Sequence, residues 1–289
     1  MRSRILVLLS ALCFGTTGTA ASFAPKGSSS LAIGTARIIV GAGALLLVAA
    51  FSPRAAHKKT RARAWLLGAA GMAGYQVTFF HAVQLCGVMV GTVIALGSAP
   101  AITGVLNLVW LKKPVTRTWV IATTFAILGV GLMTVSKRSG AEVISVLGVL
   151  LALLAGLSYA TFAITSKELL MAEVSFQKAM AGVFGLGALM LTPLLLIENM
   201  SWLKEIRGIS VALWLGVVAT TVAYLLYSAG LKNLPANEAA TLTLAEPVTA
   251  TIFGVTLLTE HPPLLTWAGA LVVLAGLAIL ARSPAQTSS

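Results

Sequence analysis

The sequence predicts an all-α integral membrane protein of ten transmembrane helices, arranged as two inverted five-helix repeats. Three observations lead there. Apolar residues make up 58% of the 289-residue chain and charged residues only 10%, against roughly 25% charged in an ordinary soluble domain. Ten separate runs approach the ~20 apolar residues that a helix needs to cross the hydrocarbon core of a bilayer. The second five runs echo the first five in order.

The runs cover residues 4–22, 31–51, 65–85, 90–111, 117–135, 143–165, 175–197, 211–231, 237–258 and 264–281. The first follows Arg2 and Arg4. Its basic start and small-residue exit at Thr19-Ala20-Ala21 also fit a cleaved signal peptide, which would leave nine spans. The fourth is stopped by Lys112-Lys113-Pro114. The longest polar connections are 52–64, with Arg54, His57, Lys58 and Lys59, and 198–210. None of the runs alternates with period two, so a transmembrane β-barrel is excluded.

Lys and Arg gather on one side. With the N-terminus in the cytoplasm and ten spans, fourteen of the twenty basic residues lie inside, five outside (Lys137 and Arg138 among them), and Arg37 lies within the second span. This bias puts both termini in the cytoplasm. The net charge of +12 serves that topology and not a nucleic-acid surface, because the basic residues flank apolar runs. Cys13 and Cys86 fall in or beside apolar runs and read as spectator thiols.

The halves, 1–140 and 141–289, correspond. An offset of 147 pairs Pro100 with Pro247, Ala82 with Ala229 and Leu111 with Leu258. An offset of 141 pairs Gly15 with Gly156 and Arg37 with Lys178. Five crossings are an odd number, so the second copy enters the membrane from the opposite side. Inverted repeats of this kind support alternating access in secondary transporters.

The segment Leu242-Thr243-Leu244-Ala245-Glu246-Pro247-Val248-Thr249-Ala250-Thr251-Ile252-Phe253-Gly254, followed by Leu257-Leu258-Thr259-Glu260, resembles the last repeat of EamA-type transporters of the drug/metabolite transporter superfamily. Ala11-Leu12-Cys13-Phe14-Gly15-Thr16-Thr17-Gly18, Ala36-Arg37 and Tyr159-Ala160-Thr161-Phe162 are similar to other parts of that family. Two positions depart from its pattern: Thr259 stands where the family usually has Gly, and Ala99 replaces the first-half Glu. The resemblance implies ten helices, a bacterial inner membrane, and export of amino acids, metabolites or toxic organic compounds.

Glu246 is the sharpest candidate residue, because a carboxylate at membrane depth is costly. It either caps the backbone freed by Pro247 or takes up protons that couple transport. Pro100 and Pro247 read as kinks or gating hinges. Arg37 lies about 9–10 Å along its helix and either anchors the topology or binds a substrate carboxylate. Tyr75, Gln76, Phe79, Phe80 and His81 in the third run and Tyr224 and Tyr227 in the eighth suggest an apolar pocket with a few polar groups, or helix packing. Tyr159 and Thr16 are candidate cavity lining, and His81 has a secondary coupling role open to it.

The leading reading is secondary transport of a small-molecule substrate, most simply export, by alternating access in lipid, with protons as candidate coupling ions. No Walker loop is present, so ATP is not the direct energy source. An uptake carrier or facilitative channel is the alternative. An intramembrane enzyme is disfavoured: the chain has no aspartate, and of His57, His81 and His261 only His81 lies at membrane depth. No metal or cofactor is expected, and the oligomeric state is not readable.

Overall fold

A computed structural model describes residues 1–52, 60–135 and 145–282. His57, Arg54, Lys58, Lys59, Lys137 and Arg138 lie outside the described residues. Within them the fold is helical and contains no strand. The helices are α1 (Arg2–Ser22), α2 (Ser30–Ala50), α3 (Ala62–Val109), α4 (Arg117–Val135), α5 (Val146–Met171), α6 (Phe176–Leu191) and the short α7 (Leu194–Ile197). Then follow α8 (Ile206–Leu213), a π-helical segment (Trp214–Val222), α9 (Ala223–Leu231), α10 (Ala236–Leu242), a 3-10 turn (Thr243–Ala245), α11 (Glu246–Leu258) and α12 (Leu264–Arg282).

Serine caps start several helices. The hydroxyls of Ser29, Ser145 and Ser175 accept from the amides of Ala32, Gly148 and Lys178, satisfying donors that the first turn leaves unpaired. Leu, Ile and Val cover the outer faces, among them Leu47, Leu128, Leu189 and Leu271. The interior is rich in Ala, Gly and Thr. That distribution suits a lipid solvent, in which small residues let helices approach closely.

Among the described residues, nine helical stretches are long and apolar enough to cross a membrane. The expected third run, 65–85, is not one of them. Tyr75, Gln76, His81 and Gln84 lower its hydropathy, although it is helical from Ala62 up to a break at Gly87. Gly87 has φ 79°, a left-handed backbone that glycine adopts without strain. The chain reverses there. Arg63, at the start of this limb, stacks on the Trp110 ring beyond the end of the other, 5.5 Å from its centroid. Glu168 at the end of α5 contacts both Arg63 (3.7 Å) and the Trp110 indole (3.1 Å). The first limb lies along α5 over its length: Gly68 meets Thr165, Gly71 meets Ser158 and Phe162, and Cys86 meets Gly148. It therefore traverses the same depth as α5, antiparallel to it.

The two expected hinges differ. Pro247 stands in the first turn of α11, just after the 3-10 turn that interrupts the ninth run, where its missing N–H is no loss. Pro100 is buried inside a helix that continues through it.

α4 packs on α12 through glycines with a reciprocal pattern. A methyl group on Gly129 would meet Gly269 and Val273, and one on Gly276 would meet Ala122 and Ala126. The offset of 147 that pairs Pro100 with Pro247 converts each of these contacts into the other.

Candidate functional site

The helices enclose a cavity lined by Arg37 and Ile38 of α2, Gly71, Met72, Tyr75 and Gln76 of α3, Tyr159 and Phe162 of α5, and Tyr224 of α9. Its unfilled space, counted with its mouth, is about 280 Å³. The passage is narrow, so an organic solute would have to part the side chains. Tyr75 and Tyr159 sit near the midpoints of their helical limbs, which places the cavity at mid-depth.

The wall is aromatic. Tyr75 stacks on Phe79 with centroids 5.4 Å apart and meets Tyr159 edge-on at 6.0 Å. Phe162 meets Tyr224 at 5.5 Å, and Tyr224 packs on Phe184 at 4.5 Å and on Phe14 at 4.8 Å. Contacts of this kind add about 0.5–1.5 kcal/mol each beyond area burial and hold the phenols in fixed positions. Close backbone approach sets the wall: a side chain at Gly71 would lie 2.6 Å from the Ser158 carbonyl.

The polar groups are few. Tyr159 Oη and Thr243 Oγ1 are hydrogen-bonded at 3.2 Å, tying α5 to the 3-10 turn. Gln76 is buried, and its Nε2 has no hydrogen-bond partner among the described residues. It lies so near α2 that a methyl on Gly34 would overlap it. Arg37 Nε donates to Thr220 Oγ1 at 3.0 Å. Glu246 opens α11, where the partial positive charge of a helix N-terminus favours a carboxylate. It acts electrostatically on Arg37 and on the phenols of Tyr75, Tyr159 and Tyr224. No hydrogen bond to its carboxylate is found among the described residues, so the capping reading has no contact behind it there.

Of the residues singled out in the sequence, Arg37, Tyr75, Gln76, Tyr159 and Tyr224 line the cavity together, with Glu246 in electrostatic reach. Phe79 stands behind Tyr75, and Phe80 packs towards Gly34 of α2. Tyr227 is fully buried behind the wall, stacked on Phe162 at 6.2 Å. His81 is exposed, its Nδ1 2.8 Å from the carbonyl of Val77, and does not face the cavity. Thr16 accepts from the Trp214 indole at 3.1 Å on another flank of α1. Sequence reasoning missed Ile38, Gly71, Met72 and Phe162. The i, i+4 spacing of Met72 and Gln76 on one helix face was the available signal.

Two buried charges also escaped it. Arg4 reads as a topological anchor, yet it pairs with Glu238 of α10 at 2.5 Å, both side chains buried, and donates to the carbonyl of Ala281 at 2.7 Å. Lys167 Nζ donates to the carbonyls of Leu231 and Lys232, each at 2.9 Å, at the C-terminal end of α9.

Apolar helices of spanning length around an aromatic cavity, with a part-buried arginine in its wall and a part-buried carboxylate in electrostatic reach, define a multi-pass membrane protein. The chain belongs to the EamA-like transporter family, whose profile matches residues 1–135 and 146–282. It is a membrane transporter of that family, as the Glu246-Pro247 segment leads one to expect. Over 283 residues it is 40% identical to the uncharacterized transporter YwfM of Bacillus subtilis (strain 168), covering 97% of this chain and 94% of the relative. An uncharacterized transporter of Archaeoglobus fulgidus is 26% identical, over 98% of this chain and 99% of its own. A solved crystal structure at 17% identity shares the fold, with a TM-score of 0.81 covering 96% of this chain and 95% of that one.

Proposed function

We propose that the protein is a secondary transporter that exports a small metabolite, amino acid or drug-like compound across the bacterial inner membrane by alternating access. The observation that carries this reading is the cavity formed by Arg37, Tyr75, Gln76, Tyr159 and Tyr224 at mid-depth, drawn from both halves of the chain. Residues 1–140 and 141–289 are the two halves, each of five helices, one inverted relative to the other.

Three features support the ten-helix count. The 62–86 limb runs the depth of α5, the α4 and α12 contacts are reciprocal, and the family match falls in two stretches of similar length. Two similar packings related by a two-fold axis can expose one cavity to either side in turn. Both termini are then cytoplasmic.

Glu246 is the proposed proton carrier, since among the described residues it is the acidic group in electrostatic reach of the cavity and its carboxylate is not tied down by a hydrogen bond. Pro247, beside the 3-10 turn, is the hinge, whereas the helix continues through Pro100, which serves packing.

A thermal-stability survey of the purified protein against amino acids, sugars, nucleobases and organic cations tests the site, because a ligand of the folded state raises its melting temperature. A stabilising compound should lose its effect in Tyr224→Ala and show saturable, counterflow-stimulated uptake into proteoliposomes. Uptake that never saturates would point to a channel instead.

A further inference from the structure

We propose that Thr220 is a positioning residue that presents Arg37 to a planar anionic group, a carboxylate, on a solute with an aromatic or flat apolar body. This rests on the cavity being the binding site and names the chemistry of its ligand.

The argument begins with the π-helical segment Trp214–Val222. π-helices are rare, and they recur at functional sites. Here the register is visible in the side chains. Thr220 Oγ1 donates to the carbonyl of Leu215 at 2.8 Å, and Thr221 Oγ1 donates to that of Gly216 at 2.9 Å, both five residues back. In an α-helix a threonine bonds the carbonyl three or four residues back. The wider turn directs Thr220 at α2, where close packing of Gly41 on Gly216 brings the two backbones together.

A hydroxyl has one donor and two acceptor sites. The Thr220 proton is engaged by Leu215, so only lone pairs remain for Arg37. The Nε–H of Arg37 takes one of them at 3.0 Å. With Nε held, the guanidinium plane is fixed on one edge. Arg37 has no ion pair among the described residues, and it lines the cavity. The four N–H groups on its two Nη atoms then form the free fork. That fork matches two carboxylate oxygens side by side. Tyr75, Tyr159, Phe162 and Tyr224 supply the flat apolar walls for the rest of the solute. The buried Nε2 of Gln76, without a partner among the described residues, is a further donor in the same lining.

The test uses full-length purified protein and three matched probes: phenylacetate, its uncharged analogue phenylacetamide, and the cation phenethylammonium. Phenylacetate should raise the melting temperature, and the other two should not. Thr220→Val removes the acceptor while keeping the shape, and should weaken phenylacetate binding about tenfold, the loss expected when a charged group loses a hydrogen bond. Thr220→Ser should restore it. Arg37→Lys should not, because lysine has neither an Nε–H for Thr220 to hold nor a planar Nη fork. Thr221→Val, in the same π segment, loses a hydroxyl that donates to the Gly41 carbonyl of α2 at 3.1 Å and not to Arg37; it controls for helix packing and should bind like wild type.

Equal binding by Thr220→Val and wild type would overturn the positioning role, and equal loss in Thr221→Val would reduce it to helix stability. Stabilisation by phenethylammonium in place of phenylacetate, removed by Tyr224→Ala, would leave the cavity standing and sink the anion assignment. If none of the three probes shifts wild type, the anion assignment also falls, and the broader survey above decides the cavity separately.

Discussion

Glu246 and Glu238 show how differently two intramembrane carboxylates are held. Glu238 is clamped by Arg4 in a buried pair. Removing one partner of such a pair leaves a stranded charge, at a cost of about 3–5 kcal/mol, whereas replacing both by apolar residues is often close to neutral. Glu238→Ala should therefore lower the melting temperature in detergent markedly, and Arg4→Met with Glu238→Leu should recover most of the loss. Glu246 has an arginine in electrostatic reach but no clamp. Glu246→Gln should abolish transport driven by a pH gradient and leave substrate binding and exchange intact. Normal gradient-driven uptake by that variant would remove the coupling role.

The polar and phenolic cavity residues were legible because Tyr, Gln and Arg stand out in apolar runs. Thr220 was not, since a threonine in such a run reads as packing, and the π register that aims it leaves no mark in hydropathy. Arg4 was misread because a basic residue at a span end usually serves topology. Its acidic partner is 234 positions away in sequence.

At the scale of elements, helix ends and crossings carry identifiable strain and fit. α11 ends at Thr259 with φ 54° and ψ 31°, a left-handed cap that favours glycine. A non-glycine residue there costs roughly 1–2 kcal/mol, partly offset in glycine by about 0.5–1 kcal/mol of chain entropy. Thr259→Gly should raise the melting temperature by a few degrees without altering transport; a drop would show that the threonine contributes contacts of its own.

The α4 and α12 crossing gives a sharper expectation. A side chain on Gly129 would lie 2.6 Å from the Val273 amide, and one on Gly276 would lie 2.6 Å from the Ala122 carbonyl. Gly129→Leu and Gly276→Leu should therefore lose folded protein to a similar degree, whereas Gly131→Leu, with open space around it, should not. All ten runs were read from the sequence as candidate spans, and among the described residues nine are long and apolar enough to cross a membrane. The limb at 62–86 is less apolar because it supplies much of the cavity wall, so hydropathy falls where the site is built.

For the whole molecule, the central claim is the inverted duplication around one cavity. It depends on whether residues 62–86 cross the membrane, for that crossing sets the orientation of everything after it. The loop between α1 and α2 and the loop between α5 and α6 report this directly. Single cysteines at Ser28 and Ala172, in a background lacking Cys13 and Cys86, can be labelled with a membrane-impermeant thiol reagent in right-side-out and inside-out vesicles. Ten crossings put the two cysteines on opposite faces, so each labels in only one vesicle type and never in the same one. Labelling of both from the same face would mean that the 62–86 limb does not cross, and the inverted repeat with its alternating-access mechanism would be contradicted.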